Sequence, residues 1–472
     1  MSPASAAVAT HRDTPVAAPR RSLLDRAALA AGCGLLFIIA FIPTAYTRTV
    51  GVLLAACVCL VVARWIRDRQ IAIDGTVAAL AVLYVVVGAA YVGLGIQRHN
   101  PGARAEAPVF VLWPIVYVVL ITGIDAVAAF KWINLTLLAA AIAICLYDLD
   151  WIAVNVNWLP RAAFVDLQQD ARFRPFDGYI QFNLNSLASL MFLTPYVLSR
   201  ATDLRSIRSR AERIAVLIAV VLTLAITVLA LRRALLVVVL VAAPITILAA
   251  TAAMKRTDRL AYAKRALVTL AAVGVAGILV LSAATLTHQF NPGGYVNAVV
   301  TGVELGSSEA GPKARGDQLK SLTEGWRQSP LIGNGLGAVA SVIRSPSQPW
   351  AYELSYNALL FKTGIIGFVL YAAGVAWLFW QGLRLVRDSP LSSSVRPVLV
   401  GSVGFLVANA TNPYLQKFGY LWILFLPLAY VSFWRLASLH ERTQWDRLVA
   451  TVLSRLGVRQ GLGESRPLGR GE

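Results

Sequence analysis

Charged side chains are scarce in this sequence. Asp, Glu, Lys and Arg make up 14% of 472 residues, where a water-soluble domain carries about a quarter. Together with a mean hydropathy of +0.65, the shortage excludes an ordinary soluble fold. The segments of alternating polarity that mark a membrane β-barrel are missing too. What recurs instead is apolar stretches near 20 residues, and hydrocarbon offers no partner for an unpaired backbone amide, so these stretches must be helical. The expected class is all-α: a polytopic membrane helical bundle.

Other absences narrow the function. The four cysteines, Cys33, Cys57, Cys59 and Cys145, all fall in apolar stretches without CxxC or Cys/His spacing, which argues against metal ligation and favours small core or lipid-facing residues. No GxxxxGK[ST] is present, so no nucleotide-binding P-loop is expected. The apolar spans hold almost no ionisable residues, whereas a pump or coupled transporter usually carries a relay of them. Residues 1–26 are Ala-rich and polar, and the apolar segment that follows reads as a membrane anchor rather than a cleavable leader.

At roughly 17 to 25 residues per crossing, twelve spans are expected: 27–44, 49–65, 74–96, 107–124, 131–149, 183–199, 213–231, 234–253, 266–286, 358–382, 396–412 and 419–437. The organisation is then a tail over 1–26, a membrane domain over 27–437 with a large loop at 287–354 between the ninth and tenth helices, and a tail over 438–472. The net charge of +19 does not call for nucleic acid, because most of the basic residues flank spans. With the N-terminus inside, cytoplasmic segments and the span ends that border them hold 28 of the 43 Lys and Arg residues, as the positive-inside rule demands. Both tails are expected in the cytoplasm.

Arg232 and Arg233, in LALRRALLVVVL, break the local charge rule by landing on the outside between spans seven and eight. They can be read as interfacial anchors snorkelling to headgroups. The favoured reading is functional, since two arginines in so tight a turn are costly without an anion, and the guanidinium fork suits phosphate. The outer loop 287–354 carries five basic and five acidic residues, and a balanced loop of that size is expected to be a folded lid or site. Within it, RGDQLKSLTEGWRQSP (315–330) has Leu319, Leu322 and Trp326 at helical spacing ahead of Pro330. LIGNGLG (331–337) is a glycine-rich turn, read as packed on the bundle, with a phosphate cradle as the alternative. In ELSYNALLFKTGIIG (353–367), a helix would put Glu353, Tyr356 and Asn357 on one face, Tyr356 being open to a second reading as part of an interfacial aromatic belt. A third outer segment, ARFRPFDGYIQFNLNSLASLMF (171–192), carries Arg172, Arg174 and Asp177 ahead of Asn183 and Asn185.

Four pieces, RPFDGYIQFNLNSLA, LRRALL, Arg315 through Gly337, and SYNALLFKTGIIG, follow in an order that resembles the O-antigen ligase and polymerase superfamily. Its members are bacterial membrane glycosyltransferases acting on lipid-linked glycans. Asn185 takes the place of the family asparagine, Arg232 that of the arginine in Ser–Arg–Gly–Ala–Leu–Leu, and Arg233 replaces the glycine. The pieces cover about 172–367, and the twelve-helix frame agrees with the rest. The resemblance implies a donor glycan on undecaprenyl diphosphate, a periplasmic site in the bacterial inner membrane, and transfer without metal or other cofactor. It also implies that Arg232 and Arg315 hold the diphosphate, with Arg233, Arg174, Asn185, Tyr356 and Asn357 binding substrate. One departure matters: the family histidine before the asparagine is Tyr356 here. Glu353 is the replacement candidate for the general base, and the loss tilts the expectation from ligase toward a polysaccharide (O-antigen or exopolysaccharide) polymerase. A ligase moving glycan to lipid A core or protein, and a glycan flippase or exporter, stand as alternatives. Expected partners are the lipid-linked oligosaccharide, membrane lipids, and a chain-length regulator or flippase.

Overall fold

The computed structural model describes residues 22–44, 46–124, 127–155, 158–161, 164–167, 172–176, 179–207, 209–230, 232–252, 259–260, 262–264, 266–268, 310–389 and 391–455. Its helices are α1 (Leu23–Phe41), α2 (Thr47–Asp68), α3 (Gly75–Gln97), α4 (Ala103–Ala107), α5 (Trp113–Thr122), α6 (Val127–Asn155), α7 (Leu187–Ala201), α8 (Arg210–Leu229), α9 (Arg233–Ala252), α10 (Ala310–Gln328), α11 (Ser355–Asp388), α12 (Ser392–Asn409) and α13 (Phe418–Arg455). A π turn at Pro108–Leu112 joins α4 to α5. Among the described residues nine helices are long and apolar enough to cross a membrane. This is a multi-pass membrane protein built as a helical bundle.

Described helices overlie eleven of the twelve expected spans; almost all of 266–286 lies outside the described residues, as do 1–21, 269–309 and 456–472. Three boundaries move. The expected span at 183–199 begins later, at Leu187, because an antiparallel hairpin of β1 (Arg172–Phe176) and β2 (Tyr179–Asn183) precedes it. That hairpin is the exception to the all-α expectation, and its register sets Arg172 opposite Asn183 and Arg174 opposite Gln181. α12 starts and ends a turn before the expected 396–412. α13 runs unbroken past its membrane segment to Arg455, so the tail expected from 438 begins as a continuation of the last span. The amphipathic helix read at 315–330 is α10.

Helix starts follow local chemistry. Ser22 and Asp25 form a capping box on α1, Asp74 accepts from the backbone N–H groups of Thr76 and Val77 to open α3, and Ser209 caps α8. At the centre of the bundle α7 is buried along its whole length, packed against α6, α8, α9 and α12. α12 comes close because it presents Gly401 and Gly404, where a Cβ would press on Phe192, Pro195 and Met191; small residues permit such approach between membrane helices.

Polar contacts sort the helix ends into two groups. At one end Arg64 meets Asp25 and the Gly123 carbonyl, Asp74 meets Arg435, Arg200 meets Glu212, and Arg396 meets Asp203. These residues flank the segments whose basic charge groups them on one side of the membrane. The other end gathers the starts of α4, α7, α9, α11 and α13 with the ends of α3, α8 and α12, and it carries the candidate site.

Candidate functional site

Helix α11 is broken where the sequence reads Thr–Gly–Ile–Ile–Gly. Gly364 takes φ 61°, ψ −172° and interrupts the helix. The backbone groups this frees are met by the glycine-rich loop. Phe361 and Lys362 carbonyls accept from the N–H groups of Asn334 (3.0 Å) and Gly335 (2.8 Å), while Ile365 and Ile366 donate to the carbonyls of Pro330 (2.9 Å) and Leu331 (3.1 Å). Gly333, Gly335 and Gly337 all have positive φ, a conformation that L side chains adopt at a cost, and a Cβ at Gly337 would overlap the backbone of Gly102 and Ala103.

The same contacts decide between the two readings of LIGNGLG. Gly333 N–H donates to Ser329 O, Leu336 N–H to Tyr91 O, Gly337 N–H to the Glu106 carboxylate (2.6 Å) and Ala338 N–H to Gly335 O. With Asn334 and Gly335 already counted, each N–H from 333 to 338 is engaged inside the protein. From 333 to 338 the loop is a tight turn packed on the bundle, with no N–H group in that stretch left to cradle a phosphate.

Arg315, on α10, and Glu353 come together. Arg315 Nε donates to one Glu353 oxygen at 2.7 Å, and Arg344 lies 3.0 Å from the other. The expectation that Glu353, Tyr356 and Asn357 share one helical face is corrected. α11 starts at Ser355 with Leu354 as its cap, so Glu353 lies before the helix. Its backbone N–H donates to Gln318 of α10 (3.2 Å), and that bond with the Arg315 contact draws it away from the α11 face. Tyr356 turns to α12, donating to the Leu406 carbonyl at 2.6 Å. Asn357 is half-buried in the first turn of α11. Next to Glu353, Tyr352 is fully buried, accepts from Ala340 N–H, and has its phenol pushed up from the ordinary tyrosine value by burial.

Arg232 sits immediately before α9, its carbonyl accepting from Leu235 N–H (2.9 Å) as a helix cap. Its guanidinium donates to Tyr414 Oη at 2.8 Å. Tyr414 belongs to the turn between α12 and α13, and in that turn the Asn412 carbonyl accepts from Ser355 Oγ at 3.0 Å. Arg232 is therefore linked through Tyr414, Asn412 and Ser355 to the segment that carries Glu353 and so to Arg315. Arg233 is the first residue of α9 and half-buried; Asn185 is half-buried just before α7; Arg174 lies on β1. Of the residues singled out from the sequence, direct contact joins Arg315 to Glu353, and Arg232 reaches their segment through Tyr414, Asn412 and Ser355.

Three features escaped the sequence reading. Lys362, 2% exposed, pairs with buried Glu106 and donates to the Trp350 carbonyl at 2.9 Å; a lone lysine inside an apolar helix was the available signal, but its partner lies 256 residues away. Arg344 entered only as part of a charge balance. Asp148, fully buried within α6, accepts from Ser186 Oγ at 2.7 Å at the start of α7. The spans are thus less free of ionisable groups than their composition suggests.

No protein-family model matches this chain, and no curated protein matches it at a significant level.

Proposed function

We propose that this protein is a membrane glycosyltransferase of the bacterial inner membrane, a polysaccharide polymerase that moves glycan from undecaprenyl diphosphate to a sugar hydroxyl at the periplasmic face. The observation that carries the reading is that Arg315 and Arg344 converge on Glu353, whose segment is tied through Ser355, Asn412 and Tyr414 to Arg232 at the same end of the bundle. Arginine matches phosphate oxygens with paired donors, and a cationic cluster beside apolar helices suits a lipid carrier whose head lies at the interface.

In this mechanism the acceptor hydroxyl oxygen attacks the anomeric carbon of the donor sugar as the carbon–oxygen bond to the diphosphate breaks. The electron pair leaves with undecaprenyl diphosphate, and Arg232 and Arg315 stabilise the charge that develops there, an effect worth several kcal/mol where water is excluded. Glu353 takes the acceptor proton. Both its oxygens face arginines; a docking diphosphate, more highly charged than one carboxylate, draws those arginines toward itself and opens Glu353 to the hydroxyl. Transfer then proceeds with inversion.

The test uses the full chain in proteoliposomes with an undecaprenyl diphosphate-linked oligosaccharide. Arg232→Ala and Arg315→Ala are each expected to lower chain extension about 10²- to 10³-fold, the usual effect of deleting a donor to developing negative charge. Extension near the wild-type level in either variant would remove the clamp. Glycan appearing on a different carrier, with no longer lipid-linked chains, would make the protein a ligase.

A further inference from the structure

An apolar groove among the described residues lies away from the arginines, at hydrocarbon depth. It has a volume of about 370 Å³ and is walled by α3, α5, α11 and α13, with Tyr84, Pro114, Tyr371, Gly374, Trp377 and Phe425 among its lining residues. No charged side chain lines it. An apolar groove is a poor home for water and suits hydrocarbon instead.

We propose that this groove holds the polyprenyl chain of the lipid-linked donor, an inference that rests on the glycan-transfer reading and adds the carrier's place in the fold. Two observations support it. First, all four walls belong to segments long and apolar enough to cross the bilayer, α5 together with α4 and the π turn between them, so the occupant is a hydrocarbon chain. Second, two of the walls lead from the site: α11 begins at Ser355, beside Glu353, and α13 begins at Phe418, just past the turn in which Tyr414 holds Arg232. The α13 wall of the groove starts at Leu421, one turn further in. A chain whose diphosphate met the arginines descends between these same helices.

Gly374 supplies the test. It lines the groove, and a Cβ built there meets nothing within 4 Å, so a large side chain would enter the open space. The full-length protein in nanodiscs is irradiated with undecaprenyl diphosphate carrying a diazirine on its chain, or with phosphatidylglycerol carrying one on an acyl chain, and the labelled peptides are mapped. The polyprenyl probe is expected to label the α3 and α11 walls, unlabelled undecaprenyl diphosphate to compete, and Gly374→Trp to cut that labelling about tenfold, the loss that follows from excluding a few buried carbons. Ala81→Phe, from the facing wall, repeats the block should the first variant fold poorly. Phosphatidylglycerol labelling these walls as strongly, without competition by undecaprenyl diphosphate, would overturn the proposal, as would full polyprenyl labelling of both blocked variants. Labelling does not depend on turnover. A protein labelled in the groove but unable to extend any glycan defeats the glycosyltransferase reading alone, and one that extends glycans without groove labelling defeats the groove alone.

Discussion

Two ion-paired clusters flank the first turns of α11, and they differ in one respect. The Lys362–Glu106 pair has side chains 2% and 6% exposed, while Arg315, Glu353 and Arg344 are 28%, 21% and 43% exposed. Both bind distant stretches of chain together. In the first, every partner is protein: Glu106 also accepts from Gly337, Lys362 also donates to Trp350, and the whole lies under the glycine loop. Desolvated charges so enclosed have no alternative partner, and removing one strands the other. In the second, solvent reaches all three groups, so their pairing is weak and exchangeable. Like chemistry thus yields a fixed joint in one place and a solvent-exposed pairing that can change partners in the other.

Four changes would break or sharpen this contrast. Lys362→Met leaves the Glu106 carboxylate buried without a cation and is expected to cost about 3–5 kcal/mol. Thermal unfolding of the purified protein measures it, and a loss no greater than that of Arg344→Ala would erase the distinction. Gly337→Ala attacks the same joint through the backbone. With φ at +74° and no room for a Cβ, it should cost about 1–3 kcal/mol in the same assay. On the exposed side, Arg344→Ala should change stability by only about 0–1 kcal/mol, so that any larger loss of glycan transfer reports on the site and not on folding. The smallest effect concerns Tyr352, between the two clusters. Burial raises its folded-state phenol above the unfolded value, so its contribution is whole below about pH 10 and is lost as pH rises through the raised value. Stability measured across alkaline pH should fall less steeply in Tyr352→Phe than in the wild type; an unchanged slope would show that the phenol does not titrate with folding.

Much of the architecture was legible. Most apolar runs became helices, and the amphipathic pattern in 315–330 became α10, because each reflects consecutive residues meeting one environment. Where the pattern changed within a few residues, boundaries slipped: the hairpin at 172–183 took the start of an expected span, and α11 began at Ser355, past Glu353. The candidate site was legible in part. Arg315 and Glu353 were both marked out, yet as separate actors, and nothing in RSPSQPWAYEL announced that Arg344 would close on the second Glu353 oxygen.

The sequence by itself determined that this chain is a multi-helix membrane protein, and its basic residues sort its loops into two groups. The transfer of a segment into hydrocarbon is a sum over neighbouring side chains and needs no knowledge of the rest of the chain. Tertiary structure alone decided that Lys362 finds Glu106, that Gly364 breaks α11 against the glycine loop, and that Arg232 is tied through Tyr414 to the segment bearing Glu353. Those pairings join residues up to 256 positions apart. They depend on how helices pack, a property that no local window of sequence contains.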